Sequence, residues 1–260
     1  MSLQLIFGGS GSGKSDYIYR KILERSKAEP DITFFVLVPE QFTMQTQRDL
    51  VVRQSQHSIM NVDVVSFNRL AYRIFDELGM GNLNVLEETG KNLVLRRVAE
   101  EQQENLKLMK ASMKKTGYIT EIKSIISELT QYRIAPKQLD VLIEQTHQSL
   151  LFRYKMQDIQ TMYQSFLDYL HGKFITAEEL LEVLAQVADQ SEILRNSVIV
   201  LDGFTGFTPV QYYLLERLFK LTQEILVTVT LDQREDPYHC QGIQELFYMS
   251  KKTVETLTGL

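Results

Sequence analysis

The residues with the clearest chemical pattern lie near the start of the chain and carry glycine, serine and lysine at fixed spacing. They fit the pattern G-x-x-x-x-G-K-[ST] at every position, and they are Gly8, Gly9, Ser10, Gly11, Ser12, Gly13, Lys14 and Ser15. In such a loop, backbone N–H groups point at a phosphate chain, the lysine reaches the β- and γ-phosphates, and the last hydroxyl binds Mg²⁺. A plain turn would need the glycines but neither Lys14 nor Ser15. The pattern therefore predicts binding of ATP with Mg²⁺.

A second candidate metal ligand follows an apolar run much later in the chain. Residues Ser197–Leu201 predict a buried strand, and Asp202 comes directly after it. Proteins with this type of loop bring a strand-end carboxylate to the magnesium ion, opposite the Ser or Thr of the loop. Aspartate also ends strands for turn reasons alone, so this signal depends on the loop. With the loop present, Ser15 and Asp202 are the predicted metal ligands.

The residue after Asp202 argues against efficient hydrolysis of ATP. Hydrolysing proteins of this class usually place a glutamate there, which orients or deprotonates the attacking water, whereas this chain has Gly203. A glycine cannot accept a proton. The next carboxylate along the chain is Glu216, on the following predicted helix. We therefore assign no catalytic residue.

The elements around the loop alternate between apolar runs and helical patterns. The predicted strands Leu3–Phe7, Thr33–Val38 and Val62–Phe67 are each followed by a helical pattern, and the first helix ends before Pro30 because proline disfavours helix. The run Thr33–Val38 is apolar on both faces, which is typical of a strand inside a parallel sheet covered on each side. A doubly wound α/β domain is predicted.

The middle of the chain loses these strand signals and keeps helical faces instead. One face carries Ile119, Ile122, Ile126 and Leu129, and another carries Phe152, Met156, Ile159, Tyr163, Phe166 and Leu170. Thr176 and Glu179 form a predicted capping box, and strands return at Ser197–Leu201 and Glu224–Leu231. We predict an α/β domain in two parts, residues 1–83 and 191–260, with an all-helical insertion over residues 84–190.

The amino-acid composition excludes several classes of protein. The 260 residues are 44% hydrophobic with a net charge of −5, which argues against a strongly basic protein that coats nucleic acid. The one cysteine, Cys240, excludes a disulfide framework and a cysteine-only metal site within these residues. No apolar stretch approaches the roughly 20 residues needed to span a bilayer. We expect a soluble cytoplasmic protein with no membrane partner.

Several longer sequence motifs in this chain resemble those of a known family. Besides the loop, the chain contains Val38–Thr43 (VPEQFT), Val64–Leu70 (VVSFNRL) and Val200–Gln211 (VLDGFTGFTPVQ). In this combination, which spans the first 211 residues, the chain resembles the N-terminal part of AddB (RexB), one of the two proteins of the bacterial AddAB helicase-nuclease. An entire helical domain separates Lys14 from Asp202. This layout suits a helicase-type core better than a compact small-molecule kinase.

The resemblance implies a P-loop sheet of the superfamily-1 helicase type whose motor has decayed. It implies an AddA-type partner that translocates, action on DNA ends and single-stranded DNA in double-strand break repair, and recognition of the Chi sequence. It also implies a nuclease domain with an iron-sulfur cluster, in a C-terminal part that these residues lack. The second motor domain and its arginine finger are likewise missing from these residues.

Two segments fall where helicases of this class contact single-stranded DNA. They are Pro39–Phe42, with Gln41 and Phe42 as candidates, and the pair Ser66 and Phe67. An aromatic ring there can stack on a base, and core packing is an equally good interpretation of Phe42 and Phe67. Two other functions remain open: a P-loop phosphotransferase acting on a small molecule, and a purely structural module that docks a partner protein.

Overall fold

The structure, a computed structural model, describes residues 2–54, 60–145, 149–232, 234–240 and 242–260, without the side chain of residue 114. In chain order its elements are β1 (Ser2–Gly8), α1 (Lys14–Ala28), β2 (Thr33–Leu37), α2 (Thr43–Arg53), β3 (Val62–Val65), α3 (Phe67–Glu77), β4 (Val85–Leu86), α4 (Glu88–Glu101), α5 (Thr116–Gln131), α6 (Leu139–Gln145), α7 (Leu150–Leu170), β5 (Ile175–Thr176), α8 (Leu180–Val187), α9 (Glu192–Arg195), β6 (Ser197–Leu201), α10 (Pro209–Leu221), β7 (Glu224–Thr230) and α11 (Tyr248–Thr258).

The chain forms two compact units. The first contains Met1–Gly81 and Leu181–Leu260, and the second contains Asn82–Leu180. The sequence predicts an insertion over residues 84–190, whereas the second unit ends at Leu180, so nearly all of α8 belongs to the first unit.

The described residues of the first unit form a five-stranded sheet in the order β1-β7-β6-β2-β3, with every neighbouring pair parallel. Strand β6 is buried on both faces: Val198 and Val200 pack into a core with Ile18 and Ile22 of α1, while Ile199 and Leu201 point the other way and are equally inaccessible. The predicted α/β class with a parallel sheet is therefore confirmed.

The strand predicted over Val62–Phe67 is two residues too long. Strand β3 ends at Val65, because the Ser66 side chain caps α3 by accepting a hydrogen bond from the backbone N–H of Arg69 at 3.4 Å. Phe67 is thus the first helical residue. Phe67 was assigned to the strand because it is apolar. A serine inside an apolar run can cap a helix, and Ser66 therefore marked the end of the strand.

The second unit packs α4, α5, α6 and α7 around a core that includes Leu95, Ile122, Met162 and Phe166. Within it, β4 and β5 form a parallel pair two residues long, so the prediction that strands are lacking over 84–190 was wrong. Strands this short have no periodicity to detect. The predicted face of α7 is buried from Ile159 onward, but Phe152, in its first turn, is 48% exposed.

The capping box predicted at Thr176 and Glu179 is confirmed. At Thr176 the hydroxyl accepts from the Glu179 N–H at 3.3 Å, and the Glu179 carboxylate accepts from the Thr176 N–H at 2.7 Å. Thr208 and Gln211 make the same reciprocal pair before Pro209, the first residue of α10. Across the part of the chain that the structure describes, no helix has the length and apolar character needed to cross a membrane.

Candidate nucleotide site

The glycine-rich loop connects the end of β1 to the start of α1. Gly11 and Gly13 have positive φ angles of 72° and 89°, which side chains rarely tolerate. Gly8 leaves room for a different reason, since a Cβ there would lie 2.3 Å from the Ser12 hydroxyl oxygen, which would have to rotate away. Ser10 and Ser12 lie exposed at the tip of the loop, and Gly9 accepts a turn hydrogen bond from the Ser12 N–H at 3.2 Å. The glycines therefore set the tight curvature of the loop.

Lys14 folds back over this loop. Its ammonium donates to the carbonyl oxygens of Gly8 and Gly9 at 2.9 and 2.8 Å. Desolvation by burial lowers the pKa of Lys14, and the nearby charge of Asp202 partly opposes that shift. Since an ammonium has three N–H donors, one remains for a further acceptor while two hold the loop. The lysine thus places a positive charge at the centre of the loop.

Ser15 and Asp202 meet across 187 positions of sequence. The Ser15 hydroxyl, exposed in the first turn of α1, donates to Oδ1 of Asp202 at 3.1 Å. Asp202 follows β6 directly, and its backbone N–H donates to the Leu37 carbonyl of β2 at 3.0 Å. Parallel strands place their carboxyl ends at one edge of a sheet, which is why β6 delivers the carboxylate to the loop that follows β1.

Two further hydroxyl groups contact Asp202, and sequence reasoning missed both. Tyr19 of α1 donates to Oδ2 at 2.6 Å, and Thr228 of β7 donates to Oδ1. Desolvation raises the pKa of the Tyr19 phenol, and the charge of Asp202 raises it further. A signal for Tyr19 was present, because residues four apart share a helix face and Tyr19 is four after Ser15. Thr228 had none before the strand order was known.

The side chains present suit a hard cation. Mg²⁺ prefers oxygen ligands and usually takes one or two from the protein, with the rest from phosphates and water. Ser15 and Asp202 supply a hydroxyl and a carboxylate at one point. Within the described ranges, no group of three or more His, Cys, Asp or Glu side chains is placed to hold a metal by itself. This donor set fits a metal that arrives with a phosphate chain.

The position after Asp202 is shaped for glycine. Gly203 has a φ angle of 77°, and its N–H donates to the Thr228 hydroxyl at 3.4 Å. Glu216 lies on α10, where Lys220 donates to its carboxylate at 2.6 Å and lowers the pKa of Glu216. A carboxyl with a lowered pKa is a weaker proton acceptor. The backbone next to Asp202 therefore offers no general base.

The four candidate DNA-contact residues fall into an exposed pair and a buried pair. Gln41 and Phe42 lie in a short 3-10 turn after β2, and Phe42 is 45% exposed. Ser66 is buried as the cap of α3. Phe67 is 5% exposed and packs edge-on against Phe204 and Phe207, with ring centroids 5.5 and 6.2 Å away. Only the first pair presents side chains to a strand of DNA without rearrangement of the core.

The family model and the relatives that match this chain all belong to one family. A family model described as ADDB, N-terminal, matches residues 5–260. The B-subunit of the ATP-dependent helicase/deoxyribonuclease of Lachnoclostridium phytofermentans is 45% identical over 260 residues, covering 100% of this chain and 23% of that protein. The protein of the same name from Alkaliphilus oremlandii is 32% identical over 253 residues, covering 97% of this chain and 22% of that protein. The chain thus spans less than a quarter of the length of these relatives.

Proposed function

This chain belongs to the ADDB, N-terminal, family, and on that premise we propose that its Gly8–Ser15 loop binds ATP with Mg²⁺ without hydrolysing it at an appreciable rate. The region serves as the nucleotide-binding N-terminal part of one protein of a helicase/deoxyribonuclease complex. That protein works with an AddA-type partner on DNA ends during double-strand break repair and recombination. The names of the relatives support this broader role.

The observation that carries the proposal is the convergence of Lys14, Ser15 and Asp202 on one point. Lys14 lies over the loop carbonyls, and Ser15 lies 3.1 Å from the carboxylate of Asp202. A phosphate chain bound by the loop N–H groups would meet the ammonium, and its metal would meet the serine and the aspartate. When bound, Mg²⁺ supplies the charge that screens the phosphates, while these side chains orient the nucleotide.

Weak hydrolysis follows from Gly203. Water attack on the γ-phosphate needs a group that orients the water or accepts its proton. Gly203, the residue after Asp202, offers only its backbone N–H, and that N–H donates to the Thr228 hydroxyl. The bound nucleotide would then act as a ligand that stabilises the fold rather than as a fuel.

Equilibrium binding of a fluorescent ATP analogue tests the proposal. Lys14→Ala removes the ammonium, so affinity in Mg²⁺ should fall by about tenfold or more, as expected for loss of a hydrogen bond to a charged group. Lys27→Ala is the matched control, since Lys27 is exposed in the last turn of the same helix. Equal affinities for the wild type and Lys14→Ala would overturn the proposal. Phosphate release at helicase-like rates would contradict its second half.

Gln41 and Phe42 are the proposed contacts to single-stranded DNA. Both are exposed, and the turn that carries them is tied to α3 by an ion pair between Glu40 and Arg69 at 3.2 Å. Phe42→Ala should therefore weaken binding of a labelled oligonucleotide by this chain, because a stacked base is lost. Met44→Ala, which trims another exposed apolar side chain two residues on, should not. Equal losses in the two variants would count against a specific contact.

A further inference from the structure

The carboxylate of Asp202 is held by more donors than the loop pattern explains. Oδ1 accepts from Ser15 and Thr228, and Oδ2 accepts from Tyr19. Asp202 is only 5% exposed, so these hydroxyls replace most of the water that a surface carboxylate would have. Of the three donors, Ser15 alone belongs to the glycine-rich loop.

Tyr19 approaches from the helix side. It lies one turn after Ser15 on α1, so both hydroxyls face the same carboxylate. The tyrosine is 5% exposed and its ring packs in the core with Ile18 and Ile22, which leaves the phenol little freedom to move. From this position its hydroxyl donates to Oδ2 of Asp202 at 2.6 Å.

Thr228 approaches from the sheet side. Strand β7 lies between β1 and β6, and it places the Thr228 hydroxyl against Oδ1 of Asp202. The same hydroxyl accepts from the N–H of Gly203 at 3.4 Å, so Thr228 contacts both Asp202 and the residue after it. Tyr19 and Thr228 therefore hold the two different oxygens of one carboxylate.

We propose that Tyr19 and Thr228 are positioning residues that keep the Asp202 carboxylate turned toward Ser15 and so determine how strongly Mg²⁺ supports nucleotide binding. The inference rests on the proposed function, because the metal arrives with the nucleotide. Without these hydroxyls the carboxylate can rotate away from Ser15. Magnesium then adds less to the affinity, while the loop still binds phosphates.

The test compares dissociation constants of a fluorescent ATP analogue for the full chain in Mg²⁺ and in EDTA. Their ratio is the magnesium gain. Tyr19→Phe keeps the buried ring and removes only the hydroxyl, and we expect the gain to fall by about tenfold with the EDTA value unchanged. Tyr17→Phe is the matched control on the same helix, since Tyr17 is 55% exposed.

Thr228 provides an independent pair of variants. Thr228→Val has nearly the same shape without the hydroxyl, and it should lower the magnesium gain as Tyr19→Phe does. Thr228→Ser restores a hydroxyl and should recover the gain. Residual free Mn²⁺, measured by electron paramagnetic resonance with the nucleotide present, should rise in Tyr19→Phe and Thr228→Val, which gives a readout separate from nucleotide affinity.

The outcomes separate the two proposals. A wild type that binds no nucleotide overturns the proposed function and, with it, this inference. A wild type that binds nucleotide with a magnesium gain, while Tyr19→Phe and Thr228→Val keep that gain, overturns the inference alone. Equal losses of affinity in Mg²⁺ and in EDTA would show a purely structural role and overturn it as well.

Discussion

Among the described residues, two aspartates are almost fully buried, one in each unit, and they are held by different kinds of donor. Asp202 of the first unit is 5% exposed and accepts from the hydroxyls of Ser15, Tyr19 and Thr228. Asp158 of the second unit is 1% exposed. It accepts from three consecutive backbone N–H groups, each at 2.8 Å, and these belong to Lys107, Leu108 and Met109.

The difference distinguishes a candidate site from a structural clamp. A backbone N–H is always a donor, so the three N–H groups hold Asp158 as an acceptor and attach the chain segment after α4 to α7. A hydroxyl can turn and accept instead of donate. The donors around Asp202 can therefore adjust when a cation approaches, although the carboxylate is as well satisfied as that of Asp158.

The largest effect is expected for Asp158→Asn. The amide can accept only through one atom, and its NH₂ group would face a backbone N–H that cannot change direction. We expect the free energy of unfolding to fall by about 3 kcal/mol, because a buried donor is left without a partner. Urea denaturation measures this. Asp168→Asn, at an exposed site on the same helix α7, is the control and should change little. A loss below about 1 kcal/mol would show that the clamp is weaker than its geometry suggests.

An intermediate effect is expected for Gly203→Ala. A Cβ there would lie no closer than 3.8 Å to Pro39 Cδ, so the cost is backbone strain at a φ angle of 77° rather than crowding. We expect about 1–2 kcal/mol of destabilisation. Gly81→Ala, at a glycine with no positive φ and open space, is the control. Gly203→Glu should suffer the same strain but supplies the carboxyl that this position lacks, so phosphate release should rise above that of the wild type. Unchanged release by that variant would show that the missing carboxyl beside Asp202 is not what limits hydrolysis.

The smallest effect on stability is expected for Asp202→Asn. The Ser15, Tyr19 or Thr228 hydroxyl nearest the amide NH₂ can turn to accept from it, so the free energy of unfolding should fall by less than about 1 kcal/mol. Nucleotide affinity should nevertheless become independent of Mg²⁺, as measured by titration in Mg²⁺ and EDTA. A loss of stability as large as that of Asp158→Asn would remove the distinction between the two aspartates.

Contiguous features of the site were predictable from sequence, and those that depend on strand order were not. The loop residues Gly8–Ser15 form one uninterrupted pattern, and Asp202 follows an apolar run that any parallel sheet would bury. The contact of Thr228 with Asp202 requires β7 to lie between β1 and β6, which is a property of the whole sheet.

Aromatic residues were the other source of error, because their burial depends on tertiary partners. Phe67 was an open choice between DNA contact and core, and Phe204 and Phe207 cover its ring. Phe152 fitted the apolar face of α7 by its spacing, yet it lies in the first turn beyond the reach of the core. Periodicity identifies the face of a helix but not how far along the helix its neighbours extend.

The short pairing of β4 with β5 joins the two ends of the helical unit. The Ile175 N–H donates to the Asn84 carbonyl at 3.0 Å, so the chain enters and leaves the helical unit at adjacent points. A segment with neighbouring ends can be gained, lost or exchanged between genes without re-routing any strand of the larger sheet. Changes within the helical unit therefore need not alter the strands that hold Asp202 and Thr228.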